Sequence, residues 1–153
     1  MELDRTDRKI LSELQRNGRM SNVELAQAVG LSESPCLRRV RALEENGVID
    51  GYSARIEQRK VGLQVTAFVQ VQLEKHDDEK VRAFLDRVAL EESIVECHAM
   101  SGAYDHLLKV VAHSMDHFAE IAMRGILQFP GVKDIESSFA LQTIKQDAPL
   151  PLR

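Results

Sequence analysis

Between Ser21 and Asn46 the chain reads SNVELAQAVGLSESPCLRRVRALEEN, which spells two short helices joined by a tight turn, the second bearing three arginines. Ser21 and Glu24 stand at capping-box spacing, each side chain able to satisfy a backbone N–H left without a partner at a helix start. Leu25, Ala26 and Val29 follow as an apolar stripe at helical spacing. Gly30 can take the left-handed conformation that ends a helix, and Leu31 can drop into the core as the chain reverses. Ser32 or Ser34 can cap the second helix, and Pro35 falls in its first turn under either choice. Leu37, Val40 and Leu43 are expected to face inward, which leaves Ser34, Pro35, Arg38, Arg39 and Arg41 on the other side, and Asn46-Gly47 closes the helix. Asp4 to Asn17 repeats the logic with Ile10, Leu11 and Leu14 and stops at Gly18. A three-helix module of this order is a helix-turn-helix.

An arginine binds phosphate oxygens or forks onto the O6 and N7 of guanine, so a capped, proline-stiffened helix carrying RRVR can both dock on DNA and read it. Taken alone, RRVR would be a solvated, salt-bridged face; the surrounding caps and turn favour DNA. The candidate DNA contacts are Ser21, Asn22, Ser32, Ser34, Pro35, Arg38, Arg39 and Arg41. GVIDGYSARI, with its Asp50-Gly51 turn signal, fits a small wing or a single strand leading out. Charge is focused rather than spread. Residues 1–60 hold eleven Lys and Arg against ten Asp and Glu, while five arginines lie between Arg16 and Arg41 against only Glu24 and Glu33. A non-specific DNA-coating protein would be more basic, because affinity that ignores sequence comes from neutralised phosphates.

Polar, aperiodic residues from Glu57 to Gln64 mark a linker, after which the apolar period changes from 3.6 to 2. Thr66 to Glu74 alternates, with Val69, Val71 and Leu73 on one face and Gln70, Gln72 and Glu74 on the other. Glu79 to Leu90 is helical through Val81, Phe84, Leu85 and Val88; Ile94 to Met100 and His106 to His113 read as strands. Met115 to Gln128 is a second helix, and Pro130-Gly131 breaks it before a last strand from Val132 to Ile144. The order β-α-β-β-α-β predicts a ferredoxin-like antiparallel sheet with both helices on one face. Its other face, expected to be apolar, invites a second copy. Two helix-turn-helix units on a two-fold axis would meet a pseudo-palindromic duplex site. The expected class is therefore α+β. A (winged) helix-turn-helix domain over 1–52 is joined by a hinge at 53–64 to a ferredoxin-like effector and oligomerisation domain over 65–144, with a tail at 145–153.

At 44% hydrophobic and 29% charged, the composition is that of a folded globular chain. No apolar run is long enough to cross a bilayer and the first residues resemble a charged helix rather than a signal peptide, so the expected location is cytoplasmic, at the nucleoid. Cys36 and Cys97 are too few for a disulfide framework or zinc spacing and read as packable residues. His113 and His117 stand four apart, but a strand end separates them and no third ligand accompanies them, so no metal or other cofactor is expected. Neither a phosphate loop, a nucleophile motif nor paired catalytic acids is evident, and an enzyme is not expected.

End to end, the chain resembles the Lrp/AsnC family of bacterial and archaeal transcription regulators. The resemblance rests on LDRTDRKILSELQRNGR (3–19), SNVELAQAVGLSESPCLRRVRALEENGVIDGY (21–52), ECHAMSGAYDHLLKV (96–110) and FPGVKDIESSFAL (129–141). It implies a sequence-specific regulator with an N-terminal DNA-binding domain, a hinge strand, a C-terminal effector domain, and homodimers that assemble into octamers. The alternative is an architectural, effector-independent DNA-organising protein. It also implies an amino-acid effector bound between dimers against the loop Ser101-Gly102-Ala103-Tyr104-Asp105-His106. A glycine loop lets backbone N–H groups approach a carboxylate while an aspartate answers the ammonium, and Asp105 is the first choice for that contact. The family commonly carries an acidic residue where this chain has Ala103. Met115, Ser138 and Ala140 match positions that line or border the pocket in other members, with core packing for Met115 and plain strand positions for the other two as the alternatives. Tyr104 serves the ligand or an interface.

Overall fold

The computed structural model describes residues 1–74 and 77–152. They form two compact units, one of Met1–Arg55 with Ile144–Arg153 and one of Ile56–Thr143.

In the first unit, helix α1 (Arg5–Arg16) starts at Asp4, whose side chain and that of Asp7 form a reciprocal capping box. Helix α2 (Asn22–Val29) is capped in the same way by Ser21 and Glu24 and ends at Gly30 with φ of 75°. Helix α3 (Glu33–Glu45) begins after Ser32 and closes through Asn46 and Gly47, φ 67°. Ile10, Leu11, Leu25, Ala26, Val29, Cys36 and Leu43 make the core, with Val40 packed against it. The inward stripe of α3 therefore differs from the expected one. Cys36, Val40 and Leu43 fit a narrow arc at i, i+4 and i+7, whereas Leu37, turned about 100° from Cys36, is 38% exposed. Residues 50–57, where the sequence allows a small wing or a single strand, run without strand pairing inside the chain. The C-terminal tail belongs to this unit. Leu150 N–H donates to Gln15 Oε1 at 2.6 Å, Gln15 Nε2 donates back to Leu150 O at 3.2 Å, and Leu152 packs on the core.

The second unit contains β1 (Val65–Leu73), α4 (Asp78–Leu90), β2 (Ile94–Ala99), β3 (His106–Ala112), α5 (Met115–Glu120) and β4 (Val132–Phe139). The sheet is antiparallel in the order β2-β3-β1-β4, the split arrangement that a β-α-β-β-α-β chain gives when both helices cover one face. Ala67, Val69 and Val71 of β1 and Leu108 and Val110 of β3 pack there against Phe84, Phe118, Ile121 and Ile126.

Four local expectations change. The helix expected over 115–128 breaks into α5, a π turn at Ile121–Gly125 and a 3₁₀ turn at Ile126–Gln128. The last strand stops at Phe139; Ala140 still donates to Thr66 O, and Ile144 already belongs to the first unit. Leu85, expected to face inward, is 41% exposed. The outer sheet face is mixed rather than apolar: Phe68 and Leu107 sit among Gln70, Gln72, Lys109, Glu96 and His98. Lys109 Nζ lies 3.2 Å from Glu96 Oε1, and His98 Nε2 lies 3.3 Å from Glu96 Oε2. Burial raises the Glu96 pKa, but these two hydrogen bonds outweigh it and hold the carboxyl below its ordinary value. Between Glu57 and Gln64, a short 3₁₀ turn at Gln58–Val61 is pinned by Gln58 Nε2 donating to Thr66 Oγ1 at 2.9 Å.

Candidate functional site

On α3, Ser34, Arg38 and Arg41 repeat the i, i+4, i+7 spacing of the buried stripe two residues out of phase, which places them about 200° around the helix. All three are exposed. Ser32 occupies the cap position without a side-chain cap bond, and it and Ser34 are both exposed at the positive end of the helix dipole. Pro35 is half-buried in the first turn.

The remaining sequence candidates build the frame. Arg39 Nη1 donates to Asp4 Oδ2 at 2.7 Å and to Asp7 Oδ1 at 2.8 Å, binding α3 to the start of α1. Two backbone donors and this guanidinium hold the Asp4 carboxyl below its usual value. Ser21 Oγ is engaged with Glu24. Asn22 Nδ2 donates to Glu33 O at 2.9 Å and so fixes the start of α2 to the start of α3, while its buried Oδ1 has no partner among the described residues. Sequence reasoning missed the Arg39 clamp. The signal was there, because Arg39 neighbours the inward stripe and acidic Asp4 and Asp7 head the adjoining helix. The Cys36 thiol is fully buried, and burial pushes its pKa up, which keeps it protonated and unreactive.

In the second unit, the loop between β2 and β3 is anchored three ways. Asp105 Oδ2 accepts from Leu73 N–H at 2.7 Å; Asp105 N–H donates to Val71 O and Met100 N–H to Asp105 O. Gly102 takes φ of 118°, which a side chain would strain, and Ser101, Gly102 and Ala103 are exposed. Ala103 O accepts from Gln72 Nε2 at 3.4 Å. Ala103 and Tyr104 border a shallow hollow of about 170 Å³ whose other walls are Gln70, Gln72, Asp134, Ile135 and Glu136. His106 does not join them. It shares strand parity with Leu108 and Val110, is 8% exposed, and packs 5.0 Å from the Phe84 ring. Burial lowers its pKa, against a smaller upward pull from Asp105.

Met115, Ser138 and Ala140 are not among the walls of this hollow. The loop adjoins Val71 and Leu73, whereas Ala140 bonds Thr66, Ser138 lies opposite Phe68, and Met115, 52% exposed, follows the far end of β3. The length of β3, 7 residues, separates Met115 from the loop, roughly 20 Å at ~3.3 Å per residue, whereas Ser138 follows Glu136 of the hollow by two residues along β4. The histidine pair is locked by the protein. The rings stack at 5.2 Å, His117 Nδ1 accepts from His113 N–H, and His113 Nδ1 donates to Gly62 O at 3.0 Å. Among the described residues, no group of three or more His, Cys, Asp or Glu could hold a metal ion.

Comparison with known proteins follows the same division. A winged helix-turn-helix DNA-binding profile matches residues 3–50, and the Lrp/AsnC ligand binding domain matches residues 66–150. The chain is similar to the leucine-responsive regulatory protein of Escherichia coli, with 39% identity over 99% of this chain and 93% of that protein. It is also similar to a transcriptional regulator of Neisseria meningitidis crystallised with L-Met, at 39% identity, 99% and 97% coverage and a TM-score of 0.95. An AsnC family transcriptional regulator from Agrobacterium tumefaciens shares 37% identity, covers 98% and 97%, and gives a TM-score of 0.92. An outward-facing serine and arginine helix on a DNA-binding unit, joined to a ligand-binding ferredoxin-like unit and matched end to end in these relatives, places the chain in the Lrp/AsnC family of DNA-binding transcriptional regulators.

Proposed function

We propose that this protein represses or activates transcription as a homodimer, assembling to an octamer, whose hold on a pseudo-palindromic site responds to a free amino acid. The observation that carries the effector is the likeness to the N. meningitidis regulator crystallised with L-Met. In this reading Ser32, Ser34, Arg38 and Arg41 meet DNA, while Ser21, Asn22 and Arg39 shape the surface that presents them. Backbone N–H groups around Ser101-Gly102-Ala103 receive the ligand carboxylate. Asp105 keeps one oxygen on Leu73 N–H and offers the other to the ammonium, and Tyr104 flanks the side chain.

The separation of that loop from Met115 supports a shared site. Met115 and the loop, roughly 20 Å apart, cannot enclose one amino acid within a single chain, so both serve a single ligand only when a second copy supplies one of them. Response to the ligand then reaches DNA through assembly, and through the chain after β4, which leads from Ala140 into the tail of the DNA-binding unit. A ligand can shift this equilibrium only by binding one arrangement better than another.

The test is a thermal shift of the full chain against the twenty amino acids, paired with footprinting on genomic DNA. Stabilisation by one or a few amino acids, together with discrete protected sites, is the expected result. No stabilisation by any of them overturns the effector. Uniform protection with equal affinity for random duplexes favours the architectural alternative.

A further inference from the structure

The DNA-binding unit carries a second concentration of positive charge away from α3. A groove of about 610 Å³ runs between the end of α1 with its following turn and the unpaired segment after α3; its lining includes Arg16, Arg19 and Arg55 and no carboxylate. All three arginines are exposed, and among the described residues only Arg16 of the three is paired, with Glu13 at 3.2 Å on the surface, a contact worth little in water.

The groove is a built feature. Tyr52 OH donates to Glu44 Oε1 of α3 at 2.9 Å, and its ring lies against Gly18, where an added Cβ would come within 3.6 Å of it. Tyr52 thus spaces the Arg55 segment from the Arg16–Arg19 turn. On the opposite wall, Asn17 Oδ1 accepts from Arg19 N–H at 3.1 Å and fixes the turn. From Arg19 the surface continues through Ser21 to Asn22, which is bonded to the first residue of α3. The turn that walls the groove thus leads directly into the capped start of α2, which Asn22 ties to the start of α3.

The charge balance gives this position its weight. Residues 1–55 hold nine Lys and Arg against nine Asp and Glu, and Arg39 is occupied inside the unit. Attraction to phosphates has to come from local concentration of cations, because net charge supplies none. A groove of this volume is too open for one free phosphate and suits a sugar-phosphate strand lying along it.

We infer that Arg16, Arg19 and Arg55 form a phosphate clamp, which holds the DNA backbone beside the bases read by α3 and sets register without reading sequence. This rests on the DNA-binding role of α3 and adds a second contact to it.

Salt dependence of binding to a random-sequence duplex and to a duplex selected by the full chain tests the clamp. Arg19→Ala and Arg55→Ala should each flatten the slope of log affinity against log salt by roughly 0.9 per bound protomer, weaken both duplexes by the same factor, and leave the selected sequence unchanged. Arg19→Lys and Arg55→Lys should restore the slope, since a lysine keeps the charge. Unaltered slopes in both alanine variants, while Arg38→Ala still weakens the selected duplex, would overturn the clamp and leave the α3 role standing. Equal loss in the lysine variants would also overturn it, by showing that packing and not charge was removed. Salt-independent binding by the unmodified chain would overturn both readings.

Discussion

Arg39 Nη1 lies 2.8 Å from Asp7 Oδ1, joining α3 to a carboxylate that is only 4% exposed. A guanidinium that sequence places among the DNA contacts is held by two carboxylates at the start of α1. Arg39→Ala strands a buried acid, so unfolding free energy should fall by about 1–3 kcal/mol. Asp7→Asn should recover part of that loss in the double variant. Chemical denaturation of the single and double variants measures this, and an unchanged midpoint for Arg39→Ala would refute it.

Arg38 behaves differently. It is exposed and has the spacing of Ser34 and Arg41. Arg38→Ala should leave stability within about 0.5 kcal/mol, cost on the order of 1–3 kcal/mol of binding, and relax preference at one base position. Selection from randomised duplexes reads the outcome; uniform weakening with intact preference would make Arg38 a phosphate contact.

Asp105 combines a structural hydrogen bond with a charge, and the two can be separated. Asp105→Asn keeps an acceptor for Leu73 N–H and should melt near the unmodified chain, yet lose roughly tenfold or more in amino-acid affinity because the charge-assisted bond is gone. Asp105→Ala should lose both stability and affinity. Calorimetric titration with the amino acid found by thermal shift distinguishes them, and undiminished affinity in Asp105→Asn would remove Asp105 from the site.

Acid should loosen the second unit through His106. Its folded pKa lies below the ordinary histidine value because the ring is buried, so the unfolded chain takes up the proton more readily. The contribution is whole above the unfolded pKa of ~6.5 and is lost as pH falls through the folded value. His106→Leu should flatten the decline of unfolding free energy between about pH 7 and 5, and a profile parallel to that of the unmodified chain would contradict this.

The tail predicts a stability effect at a distance in sequence. Leu152 packs on the core of the first unit, and Gln15 clips Leu150 through both amide groups. Leu152→Ser should cost about 1 kcal/mol, near the lower end for a partly buried leucine. Hydrogen exchange should quicken in α1 before it quickens in β1. Unchanged exchange in α1 would show that the tail adds no stability.

Much of this protein is local and therefore readable along the chain. The Ser21–Glu24 box, the left-handed Gly30 and the close at Asn46-Gly47 each depend on a few neighbouring atoms, and all three stand where the residues require them. The period-two alternation of β1 and the β-α-β-β-α-β order likewise set the sheet and its helices, because strand parity and helical spacing are properties of the backbone. What residues could not decide alone is which distant group each side chain meets. Arg39 turned inward because α1 brings Asp4 and Asp7 beside it. His106 went under the sheet on the parity of Leu108, and the tail left β4 to complete another unit. Met115 ended far from Gly102 because a whole strand lies between them. Periodicity fixes a face, but only packing fixes the partner across it, since contacts between segments depend on how helices and strands stack in space.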